Sequence, residues 1–152
     1  MNVLEHIKEE HADFRKKLTK IENAKGEQKK VIFKELFAEI HGHHEAEEQV
    51  VFPLVKAKKD EKAQDVVLEM IEEHTLGMHQ FKVLDKTPVE DETWDAKFAV
   101  LKEVLTHHMD EEEKEFMPKA KKAITEKVLV DILPKFESVL EDNMKKMKKK
   151  LG

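Results

Sequence analysis

Four stretches of this 152-residue chain repeat their apolar residues at intervals of three and four, and each stripe is interrupted by a histidine or a glutamate. A stripe at that spacing faces the core of a helical protein, so its polar members must be buried together. From Val3 to Ile21 the stripe is Leu4, Ile7, His11, Phe14, Leu18 and Ile21. After a break at Lys25-Gly26 a second runs Phe33, Leu36, Phe37, Ile40, then His43 or His44, Glu47, Val50, Val51 and Leu54. A third, beyond the Lys-rich segment 56–62, holds Val67, Ile71, His74, Met78 and Phe81, and a fourth holds Phe98, Leu101, Leu105, His108, Glu112 and Phe116. Thr87-Pro88 has the form of an N-cap with Pro at the first helical position, with Glu90 completing a capping box. A fifth pattern, Leu129, Leu133, Phe136, Leu140 and Met147, is interrupted by Pro134, while Pro53 and Pro118 are expected to end or kink the second and fourth helices.

The expected fold is all-α: an up-down-up-down four-helix bundle over 1–122, with an additional C-terminal helix over 123–152 that packs on the bundle or extends from it. Four Gly and four Pro, with 40% charged residues, suit long exposed helices better than a sheet. Cysteine and tyrosine are both absent, which removes disulfides, thiolate nucleophiles, Cys-ligated metals and tyrosyl radicals from consideration. Nine histidines remain to be explained.

Their placement repeats. Glu9-Glu10-His11 recurs as Glu72-Glu73-His74, and His43-His44-Glu45-Ala46-Glu47-Glu48 ahead of Phe52-Pro53 recurs as His107-His108-Met109-Asp110-Glu111-Glu112-Glu113 ahead of Met117-Pro118. Counting back from each proline aligns His43 with His108 and Glu47 with Glu112. Residues four apart share a helix face, so each pair projects an imidazole and a carboxylate into one small volume. Two such units facing each other would bring four imidazoles and two carboxylates to the bundle centre. That donor set suits two borderline divalent metals, with iron favoured, manganese and zinc also compatible, and all-oxygen magnesium or calcium sites disfavoured.

A single core histidine such as His11 is ordinarily a hydrogen-bonded structural residue. Glu47 and Glu112 resist that reading, because a carboxylate buried unpaired costs several kcal/mol and the one arginine, Arg15, lies on the first helix. His44/Glu48 and His107/Glu111 share the same spacing, so the register could slip by one residue. His79 falls roughly 140° round the helix from His74, at the surface or beside the site; His6 and His41 read as exposed.

These residues resemble the haemerythrin superfamily, in the cation-binding branch named for its His-His-Glu repeats. The resemblance spans Val3 to Lys122 and is most specific in the two His-x-x-x-Glu-Glu segments followed by proline. It implies a non-haem di-iron centre with His11 and His43 on one iron, His74 and His108 on the other, and Glu47 and Glu112 bridging. It also implies a small diatomic or peroxide ligand: dioxygen, nitric oxide or peroxide. The oxygen carriers of that superfamily have His-x-x-x-His on the third helix, where the second position here is Met78, and His-x-x-x-x-Asp on the fourth, where this chain has His-x-x-x-Glu. With one imidazole fewer, Glu10, Glu73, His44, His79, His107 or water must fill the gap. Such an open site suits peroxidase- or oxidase-like chemistry, nitric oxide binding or labile iron, with Ile40, Met78 and Leu105 restricting water.

Two rival readings follow from the same residues: iron storage, sensing or donation by the same site, and a metal-free helical interaction module acting through the basic run Lys145–Lys150. Ferritin-like sites are disfavoured, since no core histidine has a Glu three residues before it. A net charge of −5 and a single arginine argue against specific nucleic-acid binding. Met1–Glu10 carries three glutamates and no apolar run, and no segment has the length of a membrane span, so a cytoplasmic location is expected.

Overall fold

The computed structural model describes residues 1–152, and every regular element in it is helical. The first rod is α1 (Val3–Asn23). The second is α2 (Gly26–Ala46), which passes through a π turn at Glu47–Val51 into α3 (Phe52–Lys56). The third is α4 (Glu61–Asp85). The fourth, α5 (Trp94–Glu111), passes through a second π turn at Glu112–Phe116 into α6 (Met117–Ala123). The short α7 (Glu126–Asp131) and the long α8 (Leu133–Leu151) follow. No helix is long and apolar enough to cross a membrane.

Local chemistry sets the ends of these rods. Asn2 and Glu5 form a reciprocal capping box at the start of α1, and Asp60 accepts from the Ala63 amide to begin α4. The fourth rod starts later than Pro88: residues 88–93 are tight turns, in which Asp91 Oδ1 accepts from both the amide and the hydroxyl of Thr93. That side-chain competition for backbone donors outweighs the Pro signal and delays the helix to Trp94. Pro53 and Pro118 do not end their rods. Each lies two residues past the end of a π turn whose wide loop is closed by an amide donating five residues back, Phe52 to Glu47 and Met117 to Glu112. Pro134 sits in the first turn of α8, where its missing amide proton costs nothing.

Cluster membership gives the topology. Val3, Leu4 and Ile7 from the start of α1 pack with Val50, Val51 and Phe52 from the end of the second rod. Ala63, Val67 and Met70 from the start of α4 and Phe116 from the end of the fourth join the same cluster. At the other end of the bundle Phe14, Leu18 and Ile21 pack with Phe33, Phe37, Phe81, Leu84, Trp94 and Phe98. Consecutive rods are therefore antiparallel, and the interior consists of two apolar clusters.

The C-terminal helix lies against α2 along its length, reaching one cluster with Phe136 and the other with Met147. Gly42 makes this close approach possible: a Cβ there would overlap the carbonyl oxygen of Leu140 and press on Met144 at 3.2 Å. Lys145–Lys150 belong to the end of this helix, where positive charge complements the helix dipole. His6 and His41 are half-buried rather than exposed, because α8 covers both: Phe136 packs edge-on to His6, and Met147, Lys150 and Leu151 share a groove with His41. Burial lowers the pKa of His41.

Candidate metal centre

Between the two apolar clusters lies a polar layer. His11, His43, His44, His74 and His108 are all buried there, and Glu47 and Glu112 are fully buried at 0% exposure. The sequence repeat explains the convergence, since antiparallel packing of the two units brings their matching histidines and glutamates to the same layer.

The imidazoles and carboxylates interlock across the repeat. Glu47 Oε1 lies 3.3 Å from His43 Nε2 and 3.2 Å from His74 Nε2. Glu112 Oε1 lies 3.2 Å from His11 Nε2 and 3.6 Å from His108 Nε2. Each carboxylate thus touches its own histidine one turn back and the first histidine of the other unit. The buried donor atoms gather into two groups, each within 4.8 Å: one from His11, His43 and Glu112, the other from His44, Glu47, His74 and His108; a third group, Glu73, His107 and Glu111, lies toward the surface.

Behind the four repeat histidines stands a ring of further carboxylates, one on each Nδ1. His43 Nδ1 donates to Glu10 at 3.0 Å and His108 Nδ1 to Glu73 at 2.7 Å. His11 Nδ1 donates to Glu113 at 2.8 Å and His74 Nδ1 to Glu48 at 2.8 Å. A carboxylate at Nδ1 fixes the tautomer with its proton there, leaving the Nε2 lone pair directed inward. Glu10 and Glu73 act within their own unit, whereas Glu48 and Glu113 act across to the other. Arg15 also holds Glu113, at 3.1 Å.

This arrangement fits bound cations. Nε2 of His11 and His43 and both oxygens of Glu47 and of Glu112 are buried with no hydrogen-bond partner. His74 Nε2 and His108 Nε2 approach to 3.1 Å. Lone pairs turned toward one another and toward carboxylate oxygens are mutually repulsive unless positive charge lies among them.

The titration behaviour shows the same stress. Burial, then the neighbouring Glu112, raises Glu47 well above the carboxylate range; Glu112 is held well below it, with contacts to Glu47 and His11 overcoming its burial. Two carboxylates confined together cannot both ionise freely. Burial works against charge on His43, but Glu47 and Glu10 outweigh it and keep its pKa well above the ordinary value. His44 and His74 are driven well below theirs, first by burial and then by neighbouring imidazoles. Glu48 is pushed up to about 7 by burial and by Glu45.

The surroundings differ between the groups. Phe14 and Phe136 both stand edge-on to His43, at 5.2 and 6.0 Å between ring centroids. By contrast, a groove of about 650 Å³ reaches His44 and His74, with Glu48, Met78 and His79 along its walls. Ile40 and Leu105 lie buried in the adjoining apolar cluster, against which Met78 is partly buried. His79 is exposed. His107 is 72% exposed and bonds to Glu111 at 2.8 Å on the surface, 3.8 Å from the Glu73 carboxylate that accepts from His108.

Glu48 and Glu113 escape a stripe-based reading because they follow the stripe glutamates by one residue and are only partly buried. The available signal was the doubled Glu in each His-x-x-x-Glu-Glu segment.

The family profile Hemerythrin HHE cation binding domain matches residues 2–120. Among solved structures, the crystal structure of a Hemerythrin HHE cation binding domain-containing protein from Mycobacterium kansasii is similar, with a TM-score of 0.84 and 26% sequence identity. The match covers 96% of this chain and 89% of that one. No match to a curated protein was found.

Proposed function

The chain belongs to the Hemerythrin HHE cation-binding family, and from that premise we propose that it binds two iron ions at the buried layer and presents them to dioxygen, nitric oxide or peroxide. His11 and His43 would hold one ion, His74 and His108 the other, and Glu47 and Glu112 would be shared between them. The observation that carries this reading is the set of buried, partnerless Nε2 and carboxylate oxygen atoms facing one another across the repeat. When bound, the iron pair supplies Lewis acidity and electrons to a small ligand.

The chain's own contribution is positional. Glu10, Glu48, Glu73 and Glu113 each hold a proton on Nδ1, which orients the imidazole and raises the basicity of its other nitrogen. Phe14, Phe136, Ile40 and Leu105 exclude water from the layer, while the groove at His44 and His74 gives a small ligand a way in.

The test is metal analysis of protein produced with iron, alongside His74→Ala and Glu47→Ala. The expected result is two irons in the parent, fewer in both variants, and a ligand-sensitive visible spectrum on exposure to air. Full iron content in both variants would overturn the ligand assignment. The groove also supports a second reading, in which the site stores, senses or donates iron. In that case a weak chelator withdraws iron rapidly and the melting temperature follows iron concentration.

A further inference from the structure

His44 is the one buried imidazole that the repeat does not explain. Aligning His43 with His108 places Met109 opposite His44, and Met109 is buried among apolar residues. A thioether thus fills the corresponding place in the other unit, so packing alone does not require a ring nitrogen there. Yet His44 is only 5% exposed, and its Nδ1 has no hydrogen-bond partner. The four repeat histidines each have a carboxylate on Nδ1; His44 has none, which leaves this nitrogen as an uncommitted donor atom in a buried layer.

The ring lies beside the His74/His108 half of the layer. His44 lies flat on His74, with centroids 3.6 Å apart and planes 9° apart, so one ring must turn about its side-chain bonds before both lone pairs meet at one ion, and it stands edge-on to His108 at 5.5 Å. One of its ring nitrogens is within 4.8 Å of donor atoms from Glu47, His74 and His108. Position 78, one turn beyond His74, is Met78, a softer thioether among nitrogen and carboxylate donors. The neighbouring Gly77 is buried, and a Cβ there would be in ordinary contact with Leu105 at 3.5 Å.

We propose that His44 is a third imidazole ligand of the half-site formed by His74 and His108, so that this half has three nitrogen donors where the His11/His43 half has two. The inference rests on the two-iron reading above. It assigns the missing donor to the second rod, beside His43, rather than to the third.

The test is an anaerobic Fe(II) titration of the full chain and of His44→Met, which installs the residue found at the matching repeat position. X-ray absorption on each loaded protein counts imidazoles per iron. The parent should bind two irons with five imidazoles between them. His44→Met should weaken one of the two binding steps by more than about tenfold, since even loss of an outer partner of a ligand has an effect on that scale. The other step should be unchanged, with four imidazoles remaining. Two irons with four imidazoles in the parent, or unaltered binding steps in a helical, cooperatively melting His44→Met, would overturn the inference and leave the two-iron reading standing. A parent that takes up no iron overturns that reading itself. If His44→Met does not fold, the imidazole count in the parent decides alone.

Discussion

The half of the layer built on His11 and His43 and the half built on His74 and His108 have the same inner geometry and different walls. In both, a carboxylate on Nδ1 steadies each imidazole, and the shared glutamates approach Nε2 at 3.2 to 3.6 Å. Around His43, however, stand Phe14 and Phe136. Around His74 stand Phe52 on one face, His44 on the other, and a groove to the surface. At the repeat position of Phe14 the second unit has Gly77, and at that of His44 it has Met109. The four aligned histidines and two glutamates are therefore the part of the unit that repeats, while access to them, and the added nitrogen of His44, come from positions that do not.

The severest challenge to the comparison is loss of a shared carboxylate. Because Glu47 and Glu112 each touch histidines of both halves, Glu47→Ala or Glu112→Ala should weaken both iron-binding steps by more than about 100-fold, beyond the range for an outer-shell loss. His11→Ala should weaken one step far more than the other. Stepwise Fe(II) titration measures both; a Glu47→Ala protein that loses a single step would mean that the halves do not share their carboxylates.

Substitutions in the outer ring probe the likeness itself. Glu10→Gln and Glu73→Gln remove the negative charge from matching acceptors of His43 and His108, so each should reduce iron affinity by about 10- to 100-fold and by similar factors. A tenfold difference between the two would show that the walls, and not only the repeat, govern binding strength.

The smallest effect on binding is expected from the wall provided by α8. Gly42→Ala forces that helix away from α2 and should cost about 1–3 kcal/mol of stability, the range for overpacking, in chemical denaturation of the iron-free protein. Since Phe136 covers His43 and not His74, the His11/His43 half should become the more exchangeable one. Equal stability of the variant and parent would show that α8 does not need this close approach.

Much of this was legible in the residues. Stripe spacing identified the rods, and the repeat identified which polar groups meet, because both depend on helical periodicity. Three features depend on something else. The Asp91–Thr93 turn is a local contest between side-chain and backbone acceptors, which Pro88 and Glu90 obscure. The acceptors Glu48 and Glu113 gain their role from the opposite unit, at a distance of 26 and 102 residues along the chain. The burial of both His43 and His44 could not be resolved while either one seemed to satisfy the stripe; both are buried because Phe136 of α8 packs on His43 while His74 of α4 stacks on His44.

The π turns have a further consequence, one of ancestry. Each is a one-residue excess in an otherwise regular helix; each begins at a shared glutamate, and each is followed by proline at the same distance. Such an excess rephases every residue after it, so inserting it separately into two rods would have disturbed two packed faces on two occasions. Duplication of a single helix pair that already contained its extra residue requires one event.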